Sequence, residues 1–345
     1  MKRLVTIFSI FSLAAALHAD SPEGNETAVD RYHKTISQTV VEWSEAIDRW
    51  LSGWLGGEAN ESKKENETGL EEERKETDTF FQTRKYLSET PDAYIRMRGD
   101  FAIHSLESDE SDVKFRAHLP LSHTQKRFRL FLEDINEENV DNLVKKSGTA
   151  DNEASPKFGL NYFAPEAYGI DSKYTLGFSS LHPYIRARYN MVFEPDGWAI
   201  EPVQTFQYSE KDDFSESTAL YFDTRPYDAS LFRIELHRGT RAHEKGMAYG
   251  AALGYYWALE SRSGMRLVQS FAGHTDYEYT PDGSYESRKF SGIYGYTTAF
   301  GYRRSVWRKW VYVEGTPAVS FRKRHDFRPD YSFSLVLDIF FGNYR

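Results

Sequence analysis

The 345-residue chain contains no cysteine, which excludes disulfides, thiolate metal sites and anchoring through a lipidated cysteine. Beyond its first nineteen or so residues it has no apolar run approaching the ~18 residues of a transmembrane helix. No basic tract is long enough to follow a phosphate backbone, and a formal charge of −9 weighs further against a nucleic-acid partner. Paired histidines at i, i+4 spacing are missing, as are internal repeats beyond the hairpin period and any large plug or energy-coupling box near the N-terminus. These gaps argue against a metal centre, a solenoid and an actively driven siderophore-type transporter, and no cofactor is expected.

What the chain does have is aromatic residues: 23 Tyr, 24 Phe and 7 Trp, 16% of the total. Aromatic girdles at the two interfaces of a membrane are one physical reason for such an excess, and a Tyr-rich soluble all-β protein is another. The end of the chain favours the membrane. From Tyr331 to Phe341, residues Tyr331, Phe333, Leu335, Leu337, Ile339 and Phe341 share one face, and Ser332, Ser334, Val336 and Asp338 share the other. That is strand periodicity with one wholly apolar face, over the roughly 9–11 residues that a tilted membrane strand needs. It has the form of the closing strand of an outer-membrane β-barrel, set in outer-membrane lipid and presented through Tyr331–Phe341 to the outer-membrane insertion machinery.

The other end reads differently. Residues 1–19 have the order of a secretory signal peptide, with Lys2 and Arg3, then an apolar stretch from Leu4 to Leu17, then Ala19 before a cut. Residues 20–57 are expected to form a periplasmic amphipathic helix, because Ile36, Val40, Val41, Trp43, Ile47, Trp50, Leu51, Trp54 and Leu55 recur mostly at spacings of three and four before Gly56-Gly57. Such a helix either docks on the barrel mouth, a partner or a leaflet surface, or serves folding and secretion alone. Residues 58–90 read as an acidic, largely disordered linker, with nine acids against four bases between Glu58 and Asp78. A short helical stretch is expected within it from Thr79 to Ser88.

From residue 91 to 345 the two-residue period takes over, and the pattern predicts an all-β, antiparallel up-and-down transmembrane barrel of fourteen strands, with twelve as the other count. The short link at Ser180-Leu181-His182 is where the count is least secure. Long connections at His104 to Ser111, Asn136 to Ser155 and Tyr277 to Lys289 are expected outside. Tight turns such as Pro195-Asp196-Gly197 and Pro226-Tyr227-Asp228 are expected on the periplasmic side.

Alternation assigns an inward polar face. Its bases are Arg96, Arg98, Lys114, Arg116, Arg127, Arg129, Arg186, Arg188, Arg233, Arg266, Arg303 and Arg322, and its acids include Asp100, Glu201, Asp223, Glu235, Glu314 and Asp338. His237 joins them beside Glu235. Arginine, with a fixed and always-charged fork, suits a confined wall where it pairs with carboxylates. Two readings follow: a small passive pore whose basic wall admits anionic solutes, and a filled structural barrel knitted by salt bridges. In either case Asp338 is expected to meet Arg96 or Arg98 where the last strand closes on the first. A hydrolase needs a base in reach of its nucleophile, and the best constellation, His237 and Glu235 with Ser270 and His274, is a weak one, so no catalytic residue is assigned. A soluble all-β periplasmic binding protein is the remaining alternative.

Three segments carry a resemblance: Leu181-His182-Pro183-Tyr184-Ile185-Arg186-Ala187-Arg188-Tyr189, the run from Tyr302 to Trp310, and Leu335 to Gly342. They resemble an uncharacterised family of proteobacterial outer-membrane barrel proteins with a short N-terminal helical preface. The resemblance covers most of residues 35–55 and 90–342 and implies location and fold, not activity. The tail Gly342-Asn343-Tyr344-Arg345 departs from it by running past the aromatic ending.

Overall fold

The structure, a computed structural model, describes residues 27–55, 74, 77, 78, 80, 81, 93–121, 127–133, 157–211, 213–260 and 262–342, without the side chains of residues 50–55 and Glu260. The leader, the glycine pair after the helix and most of the acidic stretch lie outside the described residues.

Fourteen antiparallel strands close into one barrel, each paired with its neighbours in sequence and the last with the first. They are β1 (Tyr94–His104), β2 (Glu110–Leu121), β3 (Phe128–Glu133), β4 (Lys157–Phe163), β5 (Asp171–Ser179), β6 (His182–Asn190) and β7 (Trp198–Ser209). The second half consists of β8 (Asp213–Thr224), β9 (Ser230–Arg241), β10 (Ala248–Glu260), β11 (Ser263–Tyr279), β12 (Arg288–Ser305), β13 (Val311–Arg322) and β14 (Pro329–Gly342). A single 3₁₀ turn at Lys323–His325 leads into β14. The doubtful link between β5 and β6 is a real hairpin. Ser180 and Leu181 both adopt left-handed backbone, with φ of 47° and 71°, which matches the twist of the flanking strands in a two-residue turn. The expected sixth strand is shortened: it leaves the sheet after Asn190, and Phe193 keeps only an isolated bridge to Ile200.

The alternation read from sequence holds around the wall. Phe115, Leu132, Leu176, Ile185, Leu236, Leu253, Leu267 and Phe333 are exposed on the outside, whereas Arg96, Arg98, Lys114, Asp223, Arg233, Arg303 and Asp338 are buried within. A wall that is apolar outside and charged inside is the inverse of a soluble sandwich, and it is what a barrel set in hydrocarbon requires.

One end of the barrel, called here the terminal end, carries the start of β1, the end of β14 and α1 (Ala28–Leu55). The helix begins with a reciprocal cap. The Thr27 hydroxyl accepts from the Asp30 backbone N–H at 3.3 Å, and the Asp30 carboxylate accepts from the Thr27 N–H at 3.0 Å. Asp30 also holds Arg308, in the β12–β13 turn, through two bonds of 2.6 and 2.8 Å. The His33 ring stacks on Trp310 at 3.9 Å and hydrogen-bonds the Phe340 carbonyl at 2.7 Å, and the Ser44 hydroxyl donates to the Pro120 carbonyl at 3.2 Å.

Apolar and polar side chains share the face that docks. Val40 is buried with Ser44 and Asp48, whereas Ile36 and Trp43 are exposed together with Val29 and Tyr32. Polar bonds, an ion pair and the stacking of His33 on Trp310 and Phe341 fix the helix, with Val41 and Ile47 half-buried beside them.

The bond to Arg308 holds the Asp30 carboxyl below the usual carboxylate range. A carboxyl depressed in the folded state stabilises docking at pH values above the ordinary range, and that contribution fades as pH falls through and below it. Spin labels on Gln38→Cys and Lys309→Cys should therefore give a narrow distance from neutral pH down to about pH 3 and a broad one only well below that, as Asp30 itself becomes protonated. Arg308→Gln should broaden it already at neutral pH. A distance equally narrow in all three conditions would contradict the clamp.

Candidate functional site: the charged interior

The strand register sets a problem that the interior has to solve. β1 and β2 place Arg96 opposite Arg116, Arg98 opposite Lys114 and Asp100 opposite Asp112. Like charges directly across a ladder repel, so the pair of strands needs countercharge from elsewhere. It comes from the closing strand, where Asp338 is the register partner of Arg98. Arg96 grips the Asp338 carboxylate with two bonds of 2.7 and 2.9 Å, Arg98 with two of 3.0 and 3.3 Å, and Arg303 adds one of 2.7 Å. The expected partner of Arg96 or Arg98 is a partner of both.

The chain of ion pairs continues on either side. Lys114 lies 3.0 Å and Arg98 3.9 Å from Asp100. Arg303 reaches Glu314 at 3.4 Å, and Arg266 binds the same carboxylate at 2.6 Å. Five cations from β1, β2, β11 and β12 thus share three carboxylates from β1, β13 and β14. Removing charges from water costs several kcal/mol per ion, and it is offset only where geometry is good and each group has more than one partner. Asp338, with two oxygens and three guanidiniums, meets that condition.

A second cluster lies on β7 to β9. Arg233 engages Asp223 through Nε at 2.8 Å and Nη2 at 2.9 Å. Its other edge engages Asp78 through Nη1 at 2.6 Å and Nη2 at 3.0 Å. Arg74 bonds Asp223 at 2.7 Å and Glu201 at 2.6 Å. Arg74 and Asp78 belong to the acidic stretch expected to be a linker. Both are helical, as are Thr77 and Phe80, and both sit inside the barrel, essentially without solvent exposure. Residues 82–88, the rest of the helical stretch expected there, lie outside the described residues.

Beside them an aromatic layer crosses the terminal end. Phe81 packs with Leu231 and Tyr256, and Tyr94 packs with Tyr312 and Phe340; Phe80 packs against both groups. Gly264 makes room for this. A Cβ there would come within 2.7 Å of the Phe80 ring and 3.0 Å of the Phe81 ring.

Arg322, at the far end of β13, pairs with Glu107, and the remaining expected wall residues fall in two places. Arg127, just ahead of β3, and Arg129, Arg186 and Arg188 are half-buried on β3 to β6. Register puts Arg129, Asn161, Thr175, Arg186 and Gln207 in one row. Arg127, Phe163, Lys173, Arg188 and Thr205 form the next. Five cations and no carboxylate occupy those two rows. The Arg186 Nε donates to the Gln207 side-chain oxygen at 2.9 Å, and the Arg129 guanidinium lies over the Phe163 ring at 4.2 Å. Glu235 and His237 are half-buried on β9. The two other members of the hydrolase constellation are tied to the sheet: Ser270 donates to the Thr297 carbonyl at 3.5 Å, and the His274 Nδ1 accepts from the Asp276 N–H at 3.0 Å.

At the end opposite α1, loops are joined by charge as well. Glu107 meets His325 at 3.0 Å, and His325 meets Asp282 at 2.8 Å. The bond from His325 depresses the Asp282 carboxyl below its ordinary range.

No protein-family model matches the chain, and no curated protein matches it in sequence. Among solved structures it is similar to the anion-selective porin from Comamonas acidovorans, at TM-score 0.43 and 8% identity over 72% of this chain and 98% of the porin. It is similar also to OmpT, an outer membrane protein of Vibrio cholerae, at TM-score 0.40 and 8% identity over 72% and 97% of the two chains. For OccK2 of Pseudomonas aeruginosa the TM-score is 0.39, with 8% identity over 72% and 97%.

Removing one member of a buried pair costs about 3–5 kcal/mol, because it strands the partner charge. Asp338→Asn should therefore lower the temperature at which the barrel loses its compact gel mobility, and Asp338→Lys should lower it further or prevent closure. Unchanged heat-modifiability of Asp338→Lys would mean that the seam does not depend on this carboxylate.

Proposed function

We propose that this chain is a bacterial outer-membrane barrel that passes small anionic solutes passively, with its terminal end and α1 on the periplasmic side. The observation that carries this reading is the pair of cationic rows on β3 to β6, where Arg127, Arg129, Lys173, Arg186 and Arg188 line the wall beside Phe163 and neutral hydrogen-bonding side chains. Rings and rows of arginine and lysine give a pore a positive potential and raise the local concentration of anions. Neutral amides and hydroxyls opposite them hold a solute loosely enough for it to leave. No side chain is assigned a catalytic role.

A filled structural barrel is the second reading, favoured by the ion pairs and aromatic layer that occupy the terminal end. The two readings diverge in planar bilayers under a salt gradient. The conduit predicts single-channel events with a reversal potential on the anion side, shifted toward zero by Arg129→Gln with Arg186→Gln. Events with no ion preference would refute the role of the two rows. Absence of conductance from both the full chain and its Arg74→Ala variant would leave the filled barrel.

A further inference from the structure

The inner wall at β7 to β9 is short of positive charge. Register pairs Asp223 of β8 with Arg233 of β9, and Glu201 of β7 lies opposite Tyr221 of β8, so two wall carboxylates lie beside one wall guanidinium. Arg74 supplies the missing cation, with one bond to each carboxylate. Asp78 then takes the edge of Arg233 that Asp223 leaves open. Both segment residues lie on helical backbone four positions apart, so one helix face presents a guanidinium and a carboxylate to a wall of complementary order. Phe80 and Phe81 follow directly and fill the aromatic layer over Gly264. Recognition of this kind, by a charged pair facing charges of opposite sign and a ring seated over a glycine, is that of a binding site and its ligand.

We propose that Glu201, Asp223 and Arg233 form an intramolecular receptor for Arg74 and Asp78, and that these two residues, with Phe80 and Phe81, are a latch whose release opens the terminal end of the barrel. Among the described residues, the ion pairs of Arg74 and Asp78 and the rings of Phe80 and Phe81 hold the latch. Asp223 and Arg233 are shared among those pairs, so losing one charge weakens the hold of the others. The opening step is an exchange of buried bonds for water and needs no covalent change. The proposal rests on the anion conduit only for what passes once the latch is out; the docking itself is independent of conduction.

The chain has no cysteine, so Thr77→Cys introduces a single thiol at a buried position of the latch. In folded protein in lipid vesicles, a membrane-impermeant maleimide should label this thiol slowly. Removing one buried charge, at a cost of about 3–5 kcal/mol, should raise the labelling rate by about a hundredfold or more, both in Asp223→Asn and in Arg74→Ala. Arg74→Ala alters only the latch, so barrel closure, read by gel mobility, should persist in it if Asp223→Asn fails to fold. Rapid labelling with the pairs intact, or equal rates with and without Arg74, would overturn the latch. Conductance recorded on the same proteins separates the two ideas: unlatching without current removes the conduit and keeps the latch, and current without any change in labelling does the reverse.

Discussion

Asp338 stands where the last strand meets the first, and its carboxylate is satisfied by three guanidiniums instead of water. The rest of the structure depends on that arrangement. β1 and β2 bring four cations face to face, which two strands alone would not tolerate. The closing strand supplies the countercharge at the one register where Arg98 and Asp338 are opposite. A slip of one residue would turn Arg96 and Arg98 toward the hydrocarbon, where an arginine costs about 2–4 kcal/mol near the midplane. Lipid outside and ion pairs inside therefore specify the same closure.

The interior repeats this logic with a difference. Around Asp338 every partner belongs to a strand, so the network is part of the wall. Around Asp223 a partner comes from residues ahead of the barrel, so the charge balance of the wall there includes the segment. The same chemistry builds a permanent seam in one place and an intramolecular complex in the other. Between them, the rows of β3 to β6 carry cations beside amides, hydroxyls and one aromatic ring. A seam, a latch and a basic shelf thus occupy different sectors of a single lumen wall.

The barrel was legible in the sequence because membrane strands repeat every two residues, and each strand states its own inner and outer face. Strand ends were legible to within a few residues wherever a turn residue stops the alternation. The pairing of Asp338 with Arg96 and Arg98 was legible too, since the closure of any barrel brings its last strand to its first. Arg74 and Asp78 were not. They lie in a run of nine acids and four bases, where no periodicity separates a side chain destined for burial from one that stays in water. Their partners are 127 to 155 residues away in sequence. Two signals pointed that way, the aromatic pair Phe80-Phe81 closing a polar stretch and the inward glycine at position 264. What holds α1 to the barrel was not legible for a related reason: apolar spacing locates the hydrophobic stripe of a helix, but it does not show the ion pair or the histidine ring that fix this one.

The account stands most directly on whether the charges at the seam act as one unit. A double-mutant cycle on Asp338→Asn and Arg303→Gln, read from reversible unfolding out of lipid vesicles, measures that coupling. The two changes should be strongly non-additive, with an interaction energy of roughly 1–3 kcal/mol. Additivity within about 0.3–0.5 kcal/mol, the behaviour of independent sites, would contradict it.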